Sequence, residues 1–196
     1  MFTLKKKEQF EQEIKKSRFL ASAGPAGTEE EARGFIAACS SQDAGHNCWA
    51  FRIGDIYRSS DDGEPGGTAG RPILQAIDGQ DLDQVVVVVS RWFGGVLLGA
   101  GGLMRAYGGT AAACLRTAER HPIITFATLS VTCPFADESR IRAGLGTFPA
   151  ALIETKGFTP NGVQLQITLP CGQVNDVIRL VTDVSRGQAE IQPWPA

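Results

Sequence analysis

The sequence lacks several features that would assign it to a class of protein at once. Its first nineteen residues carry charges but no apolar run, so no secretory signal is visible. The longest charge-free apolar stretch, Trp92–Met104, is short and broken by glycines, which excludes a bilayer span. Five widely spaced cysteines form no CxxC pair, which disfavours a zinc ribbon or a thioredoxin-like site. We expect a cytoplasmic protein with reduced thiols and no membrane partner.

The chain also has little excess charge, since 19 Lys and Arg face 21 Asp and Glu over 196 residues. That balance argues against a sequence-independent nucleic-acid coat, although it allows a local basic patch. An apolar content of 43% is typical of globular chains, and this length buries enough surface to fold without disulfides or metals. We expect a monomer with no obligatory cofactor.

The patterns along the chain predict two α+β domains, residues 1–125 and 126–196. The second domain has the order βαββαβ, which is typical of a ferredoxin-like unit. Its predicted strands and helices are strand 128–133, helix 136–145, strands 151–155 and 163–169, helix 174–184 and strand 189–192.

The first domain carries clearer local signals. Thr28 and Glu31 form a capping box that predicts a helix start. The β-branched run Val85–Val89 predicts a central strand that is covered on both faces. A helix over 103–118 should follow it, with Gly108 and Gly109 packed closely on the sheet. Further strands are predicted at 17–23 and 47–54.

A basic arm opens the first domain. Residues 1–18 hold six basic and three acidic side chains, and the basic ones lie in Lys5–Lys7 and Lys15–Arg18. The arm is interpreted either as a charged, solvated edge or as a contact with RNA or the ribosome.

An acidic loop places three carboxylates, Asp61, Asp62 and Glu64, within four residues of turn-forming sequence. Like charges this close require a cation, which an arginine or a divalent metal could supply. The spacing does not match a calcium-binding EF-hand loop. The loop is therefore either an arginine-paired or solvated turn, or a ligand or metal loop.

A glycine corner follows the central strand, and seven of the 23 glycines lie in Gly94–Gly109. Glycines between a strand and a helix are typical of an anion site, because free amide groups meet a ligand there. Arg91 and Arg105 flank the corner and could clamp a phosphate. Neither a Rossmann nor a P-loop spacing is met, so a tight structural corner is the alternative. The candidate ligand-binding glycines are Gly94, Gly95, Gly99, Gly101 and Gly102.

His46 and Cys48 are the remaining candidates for chemistry. In a strand the two side chains share one face, as a thiol nucleophile and its base would require. The alternative is a buried Cys48 beside a His46 that makes structural hydrogen bonds. No zinc site is predicted, because only two ligands are in view.

Taken together, these segments resemble the YigZ/IMPACT family. The matching stretches are Ser17–Phe19, Gly45–Phe51, Ser60–Pro65, Gly67–Gly70 and Val85–Tyr107, the last being the most specific. The resemblance implies a first domain like ribosomal protein S5 domain 2. It also implies a second domain like the last domain of elongation factor G. Eukaryotic members resemble IMPACT, a regulator of the amino-acid-starvation response, but this sequence lacks their RWD domain.

Three functions remain open at this point. The first is a translation-associated binding protein that contacts RNA, the ribosome or a translation factor through a groove near Arg91 and Arg105. In that case Arg91→Ala should abolish binding without unfolding the protein. The second is a Mg²⁺-dependent enzyme for a phosphorylated small molecule, with Asp61, Asp62 and Glu64 holding the metal or acting as base. The third is a scaffold in which the acidic loop pairs with Arg91 to hold the corner.

Overall fold

The computed structural model describes residues 1–194 and divides into two compact units, Met1–Ile123 and Ile124–Ala196. The predicted boundary after residue 125 lies close to that division. The mixed α/β character predicted for the chain is confirmed in both units. Within residues 1–194, no helix combines the length and apolar character needed to cross a bilayer.

The first unit is built on an antiparallel five-stranded sheet with the order β2-β3-β6-β4-β5. A separate two-stranded sheet joins β1 to β7. The strands and helices of this unit are β1 (Phe2–Leu4), β2 (Glu8–Ile14), β3 (Ser17–Pro25), α1 (Glu29–Cys39), β4 (His46–Ile53), β5 (Ile56–Ser60), α2 (Gly70–Asp78), β6 (Val85–Trp92), α3 (Ala100–Thr117) and β7 (Arg120–Pro122).

Strand β6 lies at the centre of that sheet, and both of its faces are buried, as its β-branched sequence predicts. Val85, Val87 and Val89 pack towards α2 and α3, whereas Val86 packs towards α1. Alternate residues of an extended strand point to opposite faces, so one strand serves two cores.

The capping box at α1 is confirmed, because the Thr28 side chain accepts a hydrogen bond from the Glu31 amide at 3.2 Å. The carboxylate of Glu31 in turn accepts from the Gly27 amide at 2.7 Å. The predicted packing of Gly108 and Gly109 on the sheet was wrong. Gly108 lies against Pro72 of α2, and Gly109 has open space beside it.

The basic arm forms β1, β2 and the start of β3 rather than a free segment. Its second half is a hairpin whose turn holds Lys15 and Lys16 in left-handed conformations. Lys6 lies near Glu8 and Glu119, at 3.5 and 3.4 Å, so the start of the arm pairs its charges within the unit.

The second unit has the predicted order βαββαβ, and its four strands form an antiparallel sheet with the order β11-β8-β10-β9. Its strands and helices are β8 (Phe126–Pro134), α4 (Phe135–Leu145), β9 (Leu152–Thr159), β10 (Gly162–Pro170), α5 (Val174–Ser185) and β11 (Glu190–Pro193). Alternate strand residues such as Val131 and Leu165 are fully buried with Ile141 and Val181 of the helices, so the apolar core lies between helices and sheet.

Candidate functional site

Four parts of the first unit meet at one cavity of about 410 Å³. His46 comes from the start of β4 and Arg91 from the end of β6, and the two residues are direct partners across the sheet. Glu64 comes from the acidic loop, and Gly99 comes from the glycine corner. The acidic loop and the corner, which the sequence could not connect, therefore face the same space.

A buried cluster of Glu64, Arg91 and Tyr107 lies at this cavity, and Glu64 and Arg91 of the cluster form its polar floor. Oε1 of Glu64 lies 2.6 Å from Nη1 of Arg91 and 2.7 Å from the Tyr107 hydroxyl. The side chains of Glu64 and Arg91 are only 4% and 7% exposed. Burial, with further contributions from Cys48 and Glu64, raises the pKa of Tyr107 far above its ordinary value. Tyr107 therefore keeps its proton and donates a hydrogen bond to Oε1 of Glu64.

This cluster changes what Arg91 can do. A buried guanidinium that is already paired with a carboxylate has little charge to offer a phosphate. Arg105 is exposed and lines a different cavity, beside Pro72 and Gln75 of α2. The predicted clamp of Arg91 and Arg105 is therefore not formed. Because Arg91 is buried and paired, we now expect Arg91→Ala to destabilise the fold, whereas the sequence alone predicted loss of binding without unfolding.

Asp61 has a structural role at the start of α2. Its carboxylate accepts hydrogen bonds from the amides of Gly67, Ala69 and Gly70 at 2.8, 2.9 and 2.8 Å. Burial alone would raise the pKa of Asp61, but these three amides together hold it below its ordinary value. Helix α2 has no cap from its own N-cap side chain, so Asp61 supplies the missing acceptor from outside the helix.

Asp62 has a different hydrogen-bond partner from Asp61, so the three carboxylates of the acidic loop do not share one site. Its Oδ2 accepts from the Asn47 amide at 2.5 Å, and its backbone is left-handed, with φ at 42°. Only Glu64 of the acidic loop lines the cavity. Over the described chain, 1–194, no group of three His, Cys, Asp or Glu side chains is arranged to hold a metal ion.

The predicted pair of His46 and Cys48 does not form a nucleophilic site. The Cys48 thiol donates to the Asp61 carbonyl at 3.0 Å, and burial raises the pKa of Cys48 to about 12. The thiol therefore stays protonated and unreactive. His46 behaves differently, because its side chain remains 31% exposed and lines the cavity.

The tautomer of His46 follows from its contacts. Nδ1 lies 2.8 Å from the Asp62 carbonyl oxygen, which can only accept a hydrogen bond. Nδ1 therefore carries a proton, and in the neutral ring Nε2 is an acceptor. Nε2 lies 4.0 Å from Oε1 of Glu64.

The glycines of the corner serve packing more than ligand binding. A side chain at Gly94 would collide with the backbone of Lys16, so this glycine lets the loop rest against the β2–β3 turn. Gly95 and Gly99 have positive φ values of 85° and 71°, which favour glycine. Of the five candidate glycines, Gly99 lines the cavity, whereas Gly94, Gly95, Gly101 and Gly102 do not.

Sequence reasoning missed the apolar rim of the cavity. Phe93 and Leu97 lie in the corner loop and are 57% and 84% exposed, while Leu98 and Leu103 form the wall nearer α3. The available signal was a run of large apolar residues inside a turn-forming segment. Tyr107 lies within the predicted helix 103–118, but no local pattern indicates its hydrogen bond to Glu64, which joins residues 43 positions apart.

Family models match both units of the chain. Residues 15–115 match the Impact N-terminal domain, and residues 131–188 match a domain of unknown function, DUF1949. An IMPACT family member from Thermus thermophilus is 45% identical over 181 residues, which cover 91% of this chain and 99% of that protein. The IMPACT family member YigZ of Escherichia coli is 36% identical over 191 residues, covering 92% of this chain and 91% of YigZ.

A solved structure is also similar to this chain. The crystal structure of a hypothetical protein aligns with a TM-score of 0.67 and 30% identity over 99% of this chain and 97% of its own. The Impact N-terminal model covers the segments that carry the site, and two relatives match almost from end to end. The chain therefore belongs to the IMPACT family.

Proposed function

We propose that this protein is a translation-associated binding protein that holds a protein partner through the cavity and its apolar rim. The link to translation comes from the family resemblance, since IMPACT-type regulators act there. We further propose the fold names that the resemblance implies, an S5 domain 2-like first unit and a ferredoxin-like second unit. The sheet order β11-β8-β10-β9 supports the second name.

The observation that carries the proposal is the exposed apolar loop at the mouth of the cavity. Phe93, Val96 and Leu97 lie within five residues and are 57%, 38% and 84% exposed. Large apolar side chains that face water together are typical of an interaction site. They continue into the cavity through Leu98 and Leu103, so an apolar group can pass from the rim to the floor.

An RNA phosphate fits this cavity less well. Arg91 is neutralised by Glu64, and Arg105 lies outside. Lys15 and Lys16 are exposed in the hairpin turn beside the corner, but neither lines the cavity. The formal net charge of −2 also gives the chain little general attraction for nucleic acid.

The geometry also supports binding over magnesium-dependent catalysis. Each carboxylate of the acidic loop already has a protein partner. Asp61 accepts from backbone amides at the start of α2, Asp62 accepts from the Asn47 amide of β4, and Glu64 pairs with the buried Arg91. A divalent cation would have to displace those partners one by one. The Cys48 thiol is committed to a backbone carbonyl and does not offer a nucleophile.

Co-sedimentation with ribosomes at low and physiological salt tests the proposal, with wild type, Leu97→Ser and the matched control Leu152→Ser. Leu152 is also exposed, at 67%, but lies in the second unit. We expect wild-type association to persist at physiological salt, because apolar contacts are not screened. Leu97→Ser should weaken it by roughly tenfold, and Leu152→Ser should leave it unchanged.

Two results would overturn the proposal. The first is no association of the wild type at either salt. The second is association that falls steeply with salt, is lost when Lys15 and Lys16 are replaced by glutamate, and ignores Leu97→Ser. That second pattern would indicate phosphate contacts by the hairpin turn and therefore RNA.

A further inference from the structure

We infer that the cavity takes an aromatic side chain with its own hydrogen-bond donor, a tyrosine or tryptophan of the partner. The inference rests on the proposed function, because it names which group of the protein partner enters the site. It follows from three properties of the cavity: an unused acceptor on its floor, its charge balance and its apolar walls.

Glu64 uses only one of its two carboxylate oxygens. Oε1 accepts from both Arg91 and Tyr107, whereas Oε2 accepts no hydrogen bond from residues 1–194. Within that range the fully enclosed polar atoms without a partner are Arg91 Nε, Trp92 Nε1 and Gln173 Oε1. Oε2 of Glu64 is not among these enclosed atoms, and Glu64 lines the cavity, so the oxygen remains open to it. A largely buried acceptor without a donor favours a ligand that supplies one.

His46 adds a second acceptor to the same space. The Asp62 carbonyl holds the proton on Nδ1, so Nε2 of the neutral ring presents a lone pair. Glu64 and His46 both line the cavity, and neither Oε2 of Glu64 nor Nε2 of His46 accepts a hydrogen bond from residues 1–194. Oε2 of Glu64 and Nε2 of His46 are thus complementary to an N–H or O–H group.

The charge balance selects a neutral donor. A carboxylate or phosphate would place a second buried anion beside Glu64, whose single charge Arg91 already balances. A lysine or arginine would enter beside Arg91, whose charge already balances that of Glu64 at 2.6 Å. A neutral N–H or O–H satisfies Oε2 of Glu64 without a second buried charge.

The apolar walls of the cavity favour a donor that is carried by a large apolar side chain. Phe93, Leu97, Leu98 and Leu103 line the cavity, and its volume of about 410 Å³ is within the usual range for small-ligand sites. The exposed Phe93 ring offers an aromatic surface for edge-to-face or offset stacking. Serine, threonine and asparagine carry neutral donors but have little apolar body. Tyrosine and tryptophan have both.

NMR titration of the ¹⁵N-labelled full chain with amino-acid amides tests this inference. The probes are N-acetyl-tyrosinamide, N-acetyl-tryptophanamide and N-acetyl-phenylalaninamide, with adenosine as a nucleobase control. Binding is followed at the amides of Gly99 and Ala100. We expect the tyrosine and tryptophan probes to bind about tenfold more tightly than the phenylalanine probe, which shares their backbone amides but lacks a side-chain donor.

Two variants make the outcome specific. Glu64→Gln should remove most of the preference for tyrosine over phenylalanine, provided that the variant folds. Leu97→Ser changes only the exposed rim, so it should weaken all three aromatic probes together and preserve their ratio. Leu152→Ser serves as the control without effect.

Equal binding of tyrosine and phenylalanine probes would overturn the inference and leave a merely apolar pocket. Tighter binding of adenosine than of any aromatic probe would overturn it in favour of a nucleobase. No perturbation at Gly99 or Ala100 by any probe would also refute it. The proposed function is judged separately, because ribosome association and its dependence on Leu97 are measured without these probes.

Discussion

Removing the guanidinium of Arg91 leaves the Glu64 carboxylate buried without its ionic partner. The side chain of Glu64 is only 4% exposed, and its Oε1 lies 2.6 Å from Arg91. Losing one partner of a buried pair costs about 3–5 kcal/mol, because the remaining charge stays desolvated. We predict that Arg91→Ala lowers the free energy of unfolding by that amount and Tm by roughly 10 °C. Calorimetry should show a change within about 0.5 kcal/mol for the exposed control, Arg105→Ala.

A double-mutant cycle separates the pair from its surroundings. Arg91→Met combined with Glu64→Leu removes both charges together, so it should cost about 2 kcal/mol less than the sum of the single changes. An Arg91→Ala protein whose Tm stays within about 2 °C of wild type would refute the assignment of Arg91 as a buried structural partner. Purely additive single changes would refute the coupling.

Three further predictions concern the surroundings of the site. Asp61→Asn should cost about 1.5–3 kcal/mol at pH 7. Folding lowers the pKa of Asp61, so the extra stability of the wild type over Asp61→Asn is present above about pH 4 and is lost as the pH falls through the lowered pKa. Urea unfolding at several pH values measures this difference. Cys171 is exposed and should react with Ellman's reagent in the native protein, whereas the buried Cys48 should react only after unfolding. Thermal melts should show that Gly109→Ala stabilises the protein by about 0.5–1 kcal/mol, while Gly94→Ala destabilises it through a backbone collision.

The fold elements that sequence reasoning found are those with local signals. The Thr28 capping box and the β-branched run Val85–Val89 are patterns of neighbouring residues that predict a helix start and a strand, and the structure confirms both. Helix α2 was missed because its N-terminal acceptor is Asp61, which lies nine residues before Gly70 in the chain. Strand β2 was missed because its charges hid the alternation in which Phe10 and Ile14 point to the core.

In the candidate site too, the sequence revealed local features but not the contacts between distant residues. The sequence identified His46, Glu64 and Arg91 as candidates, because their residue types and their turn-forming neighbours are local facts. A pairing of the acidic loop with Arg91 was one of the three hypotheses, and the structure confirms that pairing. The sequence could not single out Glu64 as the partner, since that contact joins residues 27 positions apart and depends on how strands pair. Nor could it show that Arg91 is buried and Arg105 is not, and that difference changes the expected ligand from an anion to a hydrogen-bond donor.

We propose that the apolar rim of the cavity holds a protein partner in translation. Ribosome co-sedimentation at physiological salt, comparing Leu97→Ser with Leu152→Ser, tests it most directly. The account predicts a roughly tenfold loss for Leu97→Ser and wild-type association for Leu152→Ser. Equal association of the two variants, or no association of the wild type, would contradict it.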